Sequence, residues 1–263
     1  MMAVQGFDPS RPNIARVYDY WLGGKDNFAA DRELAEKIVE INPGVAAMVR
    51  DNRAFAVQAV TRAAEGGIDQ FLDLGAGLPT RPSLDEAARA VNPAARVAYV
   101  DYDPVVVSHA RVLLADPERS IAVRGDLRDP VALLKDPEIR DHLDLDRPVA
   151  VILLAILHFI SDDDDPAEIV ATIRDALVPG SYLVVSHIAP GRVRDKAVAE
   201  RVHKIYDRAT ERIYPRTAEE VTRLLDGFEI VAPEVMAEFA PVADMGGAVS
   251  ASPISWRALA RKP

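Results

Sequence analysis

The chain has 263 residues, 49% of them hydrophobic, enough for one large α/β domain with a helical addition. Its 31 Lys+Arg against 41 Asp+Glu leave a net charge of −10, which disfavours general binding to nucleic-acid phosphates or anionic membranes. It has no cysteine, which excludes disulfides, cysteine–zinc sites and thiol nucleophiles together.

In chain order, residues 1–13 lack the basic start and apolar run of a secretory signal and read as disordered. The longest apolar run, VAVILLAIL at 149–157, is too short to span a bilayer, so a soluble cytoplasmic protein is expected. Residues 14–22 (IARVYDYWL) predict an aromatic-rich helix stopped by Gly23-Gly24. Residues 28–41 predict a second helix, with Leu34, Ile38 and Ile41 on one stripe and Asn42-Pro43-Gly44 as its stop. Residues 45–65 predict a third, with Val45, Met48, Val49, Phe55, Ala59 and Val60 at helical spacing. A helical extension over 1–67 thus precedes the main domain at 68–263. It either packs on an open sheet edge or covers the ligand as a lid.

The stretch QFLDLGAGLPT at 70–80 sets the register of the main domain. Phe71, Leu72 and Leu74 suit a strand buried on both faces, and Gly75-Ala76-Gly77 turns the chain with no Cβ to keep a ligand from the backbone. A helix then begins near Pro82. Residues 96–100 (RVAYV) form the next strand, ended by Asp101, whose carboxylate can accept both hydrogen bonds of a ribose diol. An adenosine-containing cofactor is the natural occupant; the plainer reading of Asp101 is a turn residue before Asp103-Pro104.

A helix over 105–114 and a short strand at 121–123 lead to Gly125-Asp126-Leu127. Residues 149–154 are the most apolar strand and should be central. Four aspartates, 162–165, precede Pro166; they read as a helix cap and acidic first turn rather than a metal site. The helix at 167–177 ends at Pro179-Gly180, and residues 182–186 form strand five. A polar-faced helix over 193–213, a capping box at Thr217–Glu220, and strands at 228–232 and 254–260 close the chain, the last two separated by a long loop at 233–253.

Dinucleotides prefer a small residue where this chain has Thr80, which disfavours an NAD-dependent oxidoreductase. The segment order resembles class I S-adenosylmethionine (SAM)-dependent methyltransferases. At family level RPNIARVYDYWLGGKDNFAADR, QFLDLGAGLPT, VAYVDYDPVVVSHARVLL and the closing SWRALARK resemble an actinobacterial SAM-methyltransferase family long catalogued as a domain of unknown function. The resemblance implies a Rossmann-like class I fold: a seven-stranded, mostly parallel sheet with an antiparallel last strand. It implies SAM as cofactor and S-adenosylhomocysteine (SAH) as product. It puts Gly75, Ala76 and Gly77 against the methionine end, Asp101 on the ribose, and Tyr102 and Asp126 at the adenine with the Leu127 backbone beside them. Ala155 closes the pocket near the methionine, and Asp73 reaches its ammonium. Pro79 stands where the family's usual third glycine belongs.

Tyr18, Tyr20, Trp21 and Asn27 are lid candidates: aromatic faces attract a sulfonium and stack on adenine, and Asn27 suits the amino-acid end. The same aromatics would equally anchor the helix on the core. His158 and His187, at the carboxyl ends of strands four and five, are candidate general bases, or else buried hydrogen-bonded histidines. The missing cysteine and the absence of an Asn/Asp-Pro-Pro-aromatic loop after strand four point away from nucleic acid and toward a small-molecule acceptor methylated on oxygen or nitrogen. A SAM-binding module without turnover is the alternative.

Overall fold

The computed structural model describes residues 8–113, 116, 118–189, 209, 211–231 and 255–263. Three helices come first: α1 (Ile14–Trp21), α2 (Ala29–Ile41) and α3 (Val45–Glu65). The strands are β1 (Gln70–Leu74), β2 (Arg96–Asp101), β3 (Ser120–Arg124), β4 (Ala150–Leu154), β5 (Tyr182–Ile188), β6 (Glu229–Ile230) and β7 (Ser255–Arg261). Between them lie α4 (Leu84–Val91), α5 (Pro104–Leu113), α6 (Pro130–Leu134), α7 (Pro137–His142), α8 (Pro166–Ala176) and α9 (Ala218–Leu224).

The sheet order is β3-β2-β1-β4-β5-β7-β6. Strands β1 to β5 pair in parallel, and β7 runs antiparallel to both β5 and β6. The chain leaves β1 toward β2 and β3, then returns to lay β4 on the other side. A crevice therefore opens beyond the carboxyl ends of β1 and β4, where a doubly wound sheet binds its ligand.

Side chains alternate across the sheet as strand geometry requires. Phe71, Val97, Ile152 and Val184 face α3 and α4. Leu72, Leu74, Val151 and Leu153 face the opposite layer with Ile139, Ile169 and Ile173. All of β1 is buried, as expected of a strand covered on both faces. A third cluster joins α1, α2 and the start of α3 through Val17, Trp21, Leu34, Ile38, Val45 and Val49, with Ile213 packed against it. So α3 belongs to two layers: its later turns pack on the sheet, and its first turns carry the other two helices over the crevice.

Local sequence sets the helix ends. Asn13 caps α1 by accepting from the Arg16 amide, and Ser83–Glu86 and Thr217–Glu220 form capping boxes. Asp165, at φ +47°, caps α8 ahead of Pro166, so the four aspartates do serve as a cap and its approach. Among the described residues no group of three or more His, Asp or Glu is placed to hold a metal.

Some boundaries differ from the sequence reading. Residues 8–13 form a turn and an extended lead into α1, so the disorder expected over 1–13 does not extend to them. Strand β5 runs on to Ile188 because β7 pairs with it throughout, matching Ser186, His187 and Ile188 with Arg257, Trp256 and Ser255. Of the helix expected at 193–213, residues 211–213 are irregular; residues 193–208, like the loop at 233–253, lie outside the described residues.

Candidate cofactor and acceptor site

The turn after β1 is built on two left-handed glycines, Gly75 at φ +77° and Gly77 at φ +65°. The Gly75 and Ala76 amides both donate to the Val100 carbonyl, at 2.8 and 3.0 Å, so the turn is fastened to the end of β2. A Cβ on Gly75 would stand 2.5 Å from the Ile156 side chain, whereas Gly77 faces open space. Chain and ligand can approach closely at both positions.

Asp101 finishes that fastening. Its Oδ2 accepts from the Gly77 amide and its Oδ1 from the Asp103 amide, both at 2.9 Å. A carboxylate has lone pairs beyond these two, so a ligand's hydroxyls can still reach it. Burial pushes its pKa up to about 6, partly opposed by those two amides. Asp73, near the end of β1, is pushed up to about 7 by burial; Arg53 pulls it down and Asp101 pushes it further up. Both acids are held above their solution pKa values, and a cationic ligand would favour their carboxylate forms. Asp103 accepts from the Val105 amide and from Asn13 Nδ2 at 2.7 Å, which ties the cap of α1 to the end of β2.

A cavity of about 240 Å³ opens over this floor. Asp73, Gly75, Ala76, Gly77, Asp101, Tyr102 and Ala155 all line it, as do both histidines. A smaller cleft continues it past Gly75, Asp101 and Tyr102 to Asp126 and Leu127. There the Asp126 carboxylate is held by Arg128 at 2.6 Å; burial pushes its pKa up, but the Arg128 contacts outweigh this and leave it lowered. Ala155 takes φ +51°, an uncommon backbone for a residue with a Cβ, and its amide donates to Ser186 Oγ at 2.9 Å. Strain of this kind at the mouth of a cleft is common where backbone is aimed at a ligand.

The N-terminal helices roof the cavity, with one correction to the lid residues expected from sequence. Tyr18 and Trp21 line it; Tyr20 and Asn27 do not. Ile14, Tyr18 and Trp21 follow i, i+4, i+7 spacing and share a face of α1, while Tyr20 is rotated off it. The Tyr20 hydroxyl meets Glu36 at 3.2 Å, and Asn27 Nδ2 donates to Asp19 Oδ2 at 2.9 Å. Much of the polar chemistry in this run is internal: buried Arg16 pairs with buried Asp31 at 2.7 Å, and Asp31 also accepts the Asn13 and Phe28 amides.

The histidines are both neutral. Burial, with His187 and Arg216 nearby, holds His158 well below the usual imidazole range. His187 is lowered to about 4, mainly by burial. Each ring nitrogen of His187 is engaged: Nδ1 meets the Ile188 carbonyl at 2.9 Å and Nε2 meets Arg216 Nη1 at 3.2 Å. His158 Nδ1 accepts from the Ile188 amide at 3.4 Å. Arg216 is itself buried and donates to the Leu157 and Ile160 carbonyls and to Asp162. It therefore clamps the turn after β4 to β5.

Sequence reasoning missed Asn13, Asn52, Arg53, Asp103 and Arg216. Asn13 had a signal, an N-cap residue ahead of an apolar-periodic run. Asn52 and Arg53 were polar interruptions on a helix that reads as core. Nothing local marks Arg216, whose partners lie 29 to 59 positions away.

A family model described as "S-adenosyl methyltransferase" matches residues 2–263. A protein proposed to be a methyltransferase, from Thermobifida fusca YX, is 39% identical with a TM-score of 0.85, over 98% of this chain and 97% of that one. A DUF574 family protein from Streptomyces avermitilis MA-4680 is 38% identical with a TM-score of 0.86, over 97% and 99%. An O-methyltransferase family protein from Burkholderia thailandensis shares the fold at 10% identity and a TM-score of 0.52, over 89% and 60%. Among curated proteins none matches the chain significantly.

Proposed function

The chain belongs to the S-adenosyl methyltransferase family, with SAM as its cofactor, and from that premise we propose that it methylates an oxygen or nitrogen of a small molecule. The observation that carries this reading is the buried pair Asp73 and Asp101 at the glycine turn, facing a cavity. Both suit a positively charged ligand, and the turn lets backbone reach it.

SAM supplies the methyl group together with its own leaving group. The protein's part is positioning and exclusion of water. Asp101 takes the ribose hydroxyls while it holds the turn. Asp73 faces the ammonium, and Arg53, near Asp73, suits the carboxylate. Tyr102 lies along the adenine, with Asp126 and Leu127 at its edge. The described part of the helical extension, residues 8–67, serves as the roof, through Tyr18 and Trp21 rather than Tyr20 and Asn27. His187 is a positioning residue, since both its nitrogens are engaged. His158 faces the cavity as a neutral imidazole, and with its Nδ1 accepting from Ile188 it offers an Nε2–H donor rather than a base.

Calorimetric titration with SAM and SAH, followed by incubation of labelled SAM with metabolite extracts, tests the proposal. Binding plus a labelled small product is expected; no binding at millimolar ligand would sink it. With both nitrogens of His187 engaged and His158 offering a donor rather than a base, one second reading is favoured, a SAM-binding module without turnover, which predicts binding and no labelled product.

A further inference from the structure

The cavity has two chemically different ends. The acids Asp73, Asp101 and Asp103 stand at the strand ends. The opposite side, from α1 to α3 and the segment before α9, presents Trp21, Ile38, Val45, Met48, Val49 and Ile213. The lining cation Arg53 stands between the two ends, its charge acting on Asp73 and on Tyr18. Tyr18, within the apolar end, has its pKa raised by burial and remains an uncharged phenol.

Asp19, Asn42, Asn52 and Glu211 interrupt this apolar surface, and Asn52 is the one left with an unpartnered acceptor. Asn52 is 7% exposed, and its Nδ2 donates to the Tyr18 hydroxyl at 3.1 Å, while that hydroxyl donates to the Val49 carbonyl at 3.4 Å. The Asn52 Oδ1 is buried and has no hydrogen-bond partner. Buried polar atoms are nearly always satisfied, because an unpaired one loses its water without return. Arg53 Nε and Ser255 Oγ, of residues lining the same cavity, are likewise buried without a partner, but of the three atoms Asn52 Oδ1 is the one that can only accept, so it marks where a ligand donor belongs.

Resting on the proposal that the strand-side end holds the cofactor, we propose that the methyl acceptor is an uncharged, mainly apolar molecule whose one hydroxyl or amino group donates a hydrogen bond to Asn52 Oδ1. The chamber selects by two rules. The surface of α1–α3 disfavours phosphates and carboxylates, which would lose their hydration against Met48 and Val49 and meet the lining acids Asp19 and Glu211. Asn52 rejects analogues lacking the donor, because the amide oxygen then stays unpaired.

The test uses three probes, 2-naphthol, 2-methoxynaphthalene and 2-naphthyl phosphate, titrated by calorimetry into the full chain saturated with SAH. 2-Naphthol is expected to bind roughly tenfold more tightly than its methyl ether, and the phosphate not at all. Asn52→Leu should bring naphthol and ether to about equal affinity, and Met48→Glu should weaken both together. Titration of each variant with SAH shows whether its cofactor end is intact. Binding of the phosphate as tightly as naphthol, a preference for naphthol that survives Asn52→Leu, or no naphthol binding to SAH-loaded wild type would each overturn the proposal. Failure of wild type to bind SAH would instead remove the cofactor reading beneath it.

Discussion

Asp101 Oδ2 accepts the Gly77 amide at 2.9 Å, so the residue that ends β2 holds the loop that leaves β1. The acid assigned to the ribose is thus also part of the scaffold that shapes the pocket. Its replacement acts on both.

Asp101→Ala is expected to weaken SAM by roughly 2–4 kcal/mol, on the order of 30- to 1000-fold, through lost charge-assisted bonds and a loosened turn. Asp101→Asn keeps one acceptor oxygen and should fall between. Calorimetry gives the affinities and thermal melting shows whether the turn has loosened. Unchanged affinity in a folded Asp101→Ala variant would mean that Asp101 does not touch the cofactor.

Gly75→Ala and Gly77→Ala separate strain from space. Each places an alanine at positive φ, costing about 1–2 kcal/mol. Only Gly75→Ala also drives a Cβ to 2.5 Å from Ile156. It should melt lower and bind SAM more weakly than Gly77→Ala, because Ile156 must move within the cleft that leads to Asp126. Equal melting temperatures and affinities would contradict the close packing of Ile156 on the turn.

Cofactor affinity should rise with pH between about 5 and 7.5. In the free protein Asp101 titrates at about 6 and Asp73 at about 7, and a cationic ligand favours their ionised forms. Binding at pH 6.5 should therefore release protons, read by calorimetry in buffers of different ionisation enthalpy. Asp73→Asn should reduce that release, and equal release from both proteins would refute the assignment.

Stability of the ligand-free protein responds to the same acids with the opposite slope. Their pKa values are raised above the unfolded value, so their contribution is full below about pH 4 and is lost as pH rises through about 6 and then about 7. His158 and His187 oppose this. Their pKa values are depressed, so their contribution is full above about pH 6.5 and for His187 is lost as pH falls through about 4. Denaturation of Asp73→Asn across pH 5–8 should show a flatter dependence on the alkaline side than wild type.

Arg216→Met should destabilise the fold by about 3 kcal/mol, a fall of roughly 6–12 °C in melting temperature. It strips donors from the Leu157 and Ile160 carbonyls and from His187 Nε2. A variant that melts with wild type would show the clamp to be dispensable.

Much of the fold was legible because it is written locally. The predicted bounds of α3 coincide with the observed ones, since an apolar stripe and a double-glycine stop both lie within or beside its own span. The order of strand, glycine turn, helix and acid-ended strand located by the same logic the floor of the cavity proposed to hold the cofactor. Of the four lid candidates, Tyr18 and Trp21 line the cavity and Tyr20 and Asn27 do not. Aromatic composition brought Tyr20 forward, but the face of α1 that meets the cavity is fixed by how α1 packs on α2 and α3, and that face carries Tyr18 and Trp21. His187 had the residue type of a base, and only its pairing with Ile188 and Arg216 showed both nitrogens engaged.

By itself the sequence determined the doubly wound architecture, the glycine turn after the first strand and the family, because hydrophobic period, turn chemistry and short motifs act over a few residues. Only the tertiary structure decided which polar atoms go unpaired in the chamber, which acids are buried far enough to hold protons near neutral pH, and which cation serves which loop. Those properties arise from side chains tens of positions apart excluding water together, and no local pattern encodes that exclusion.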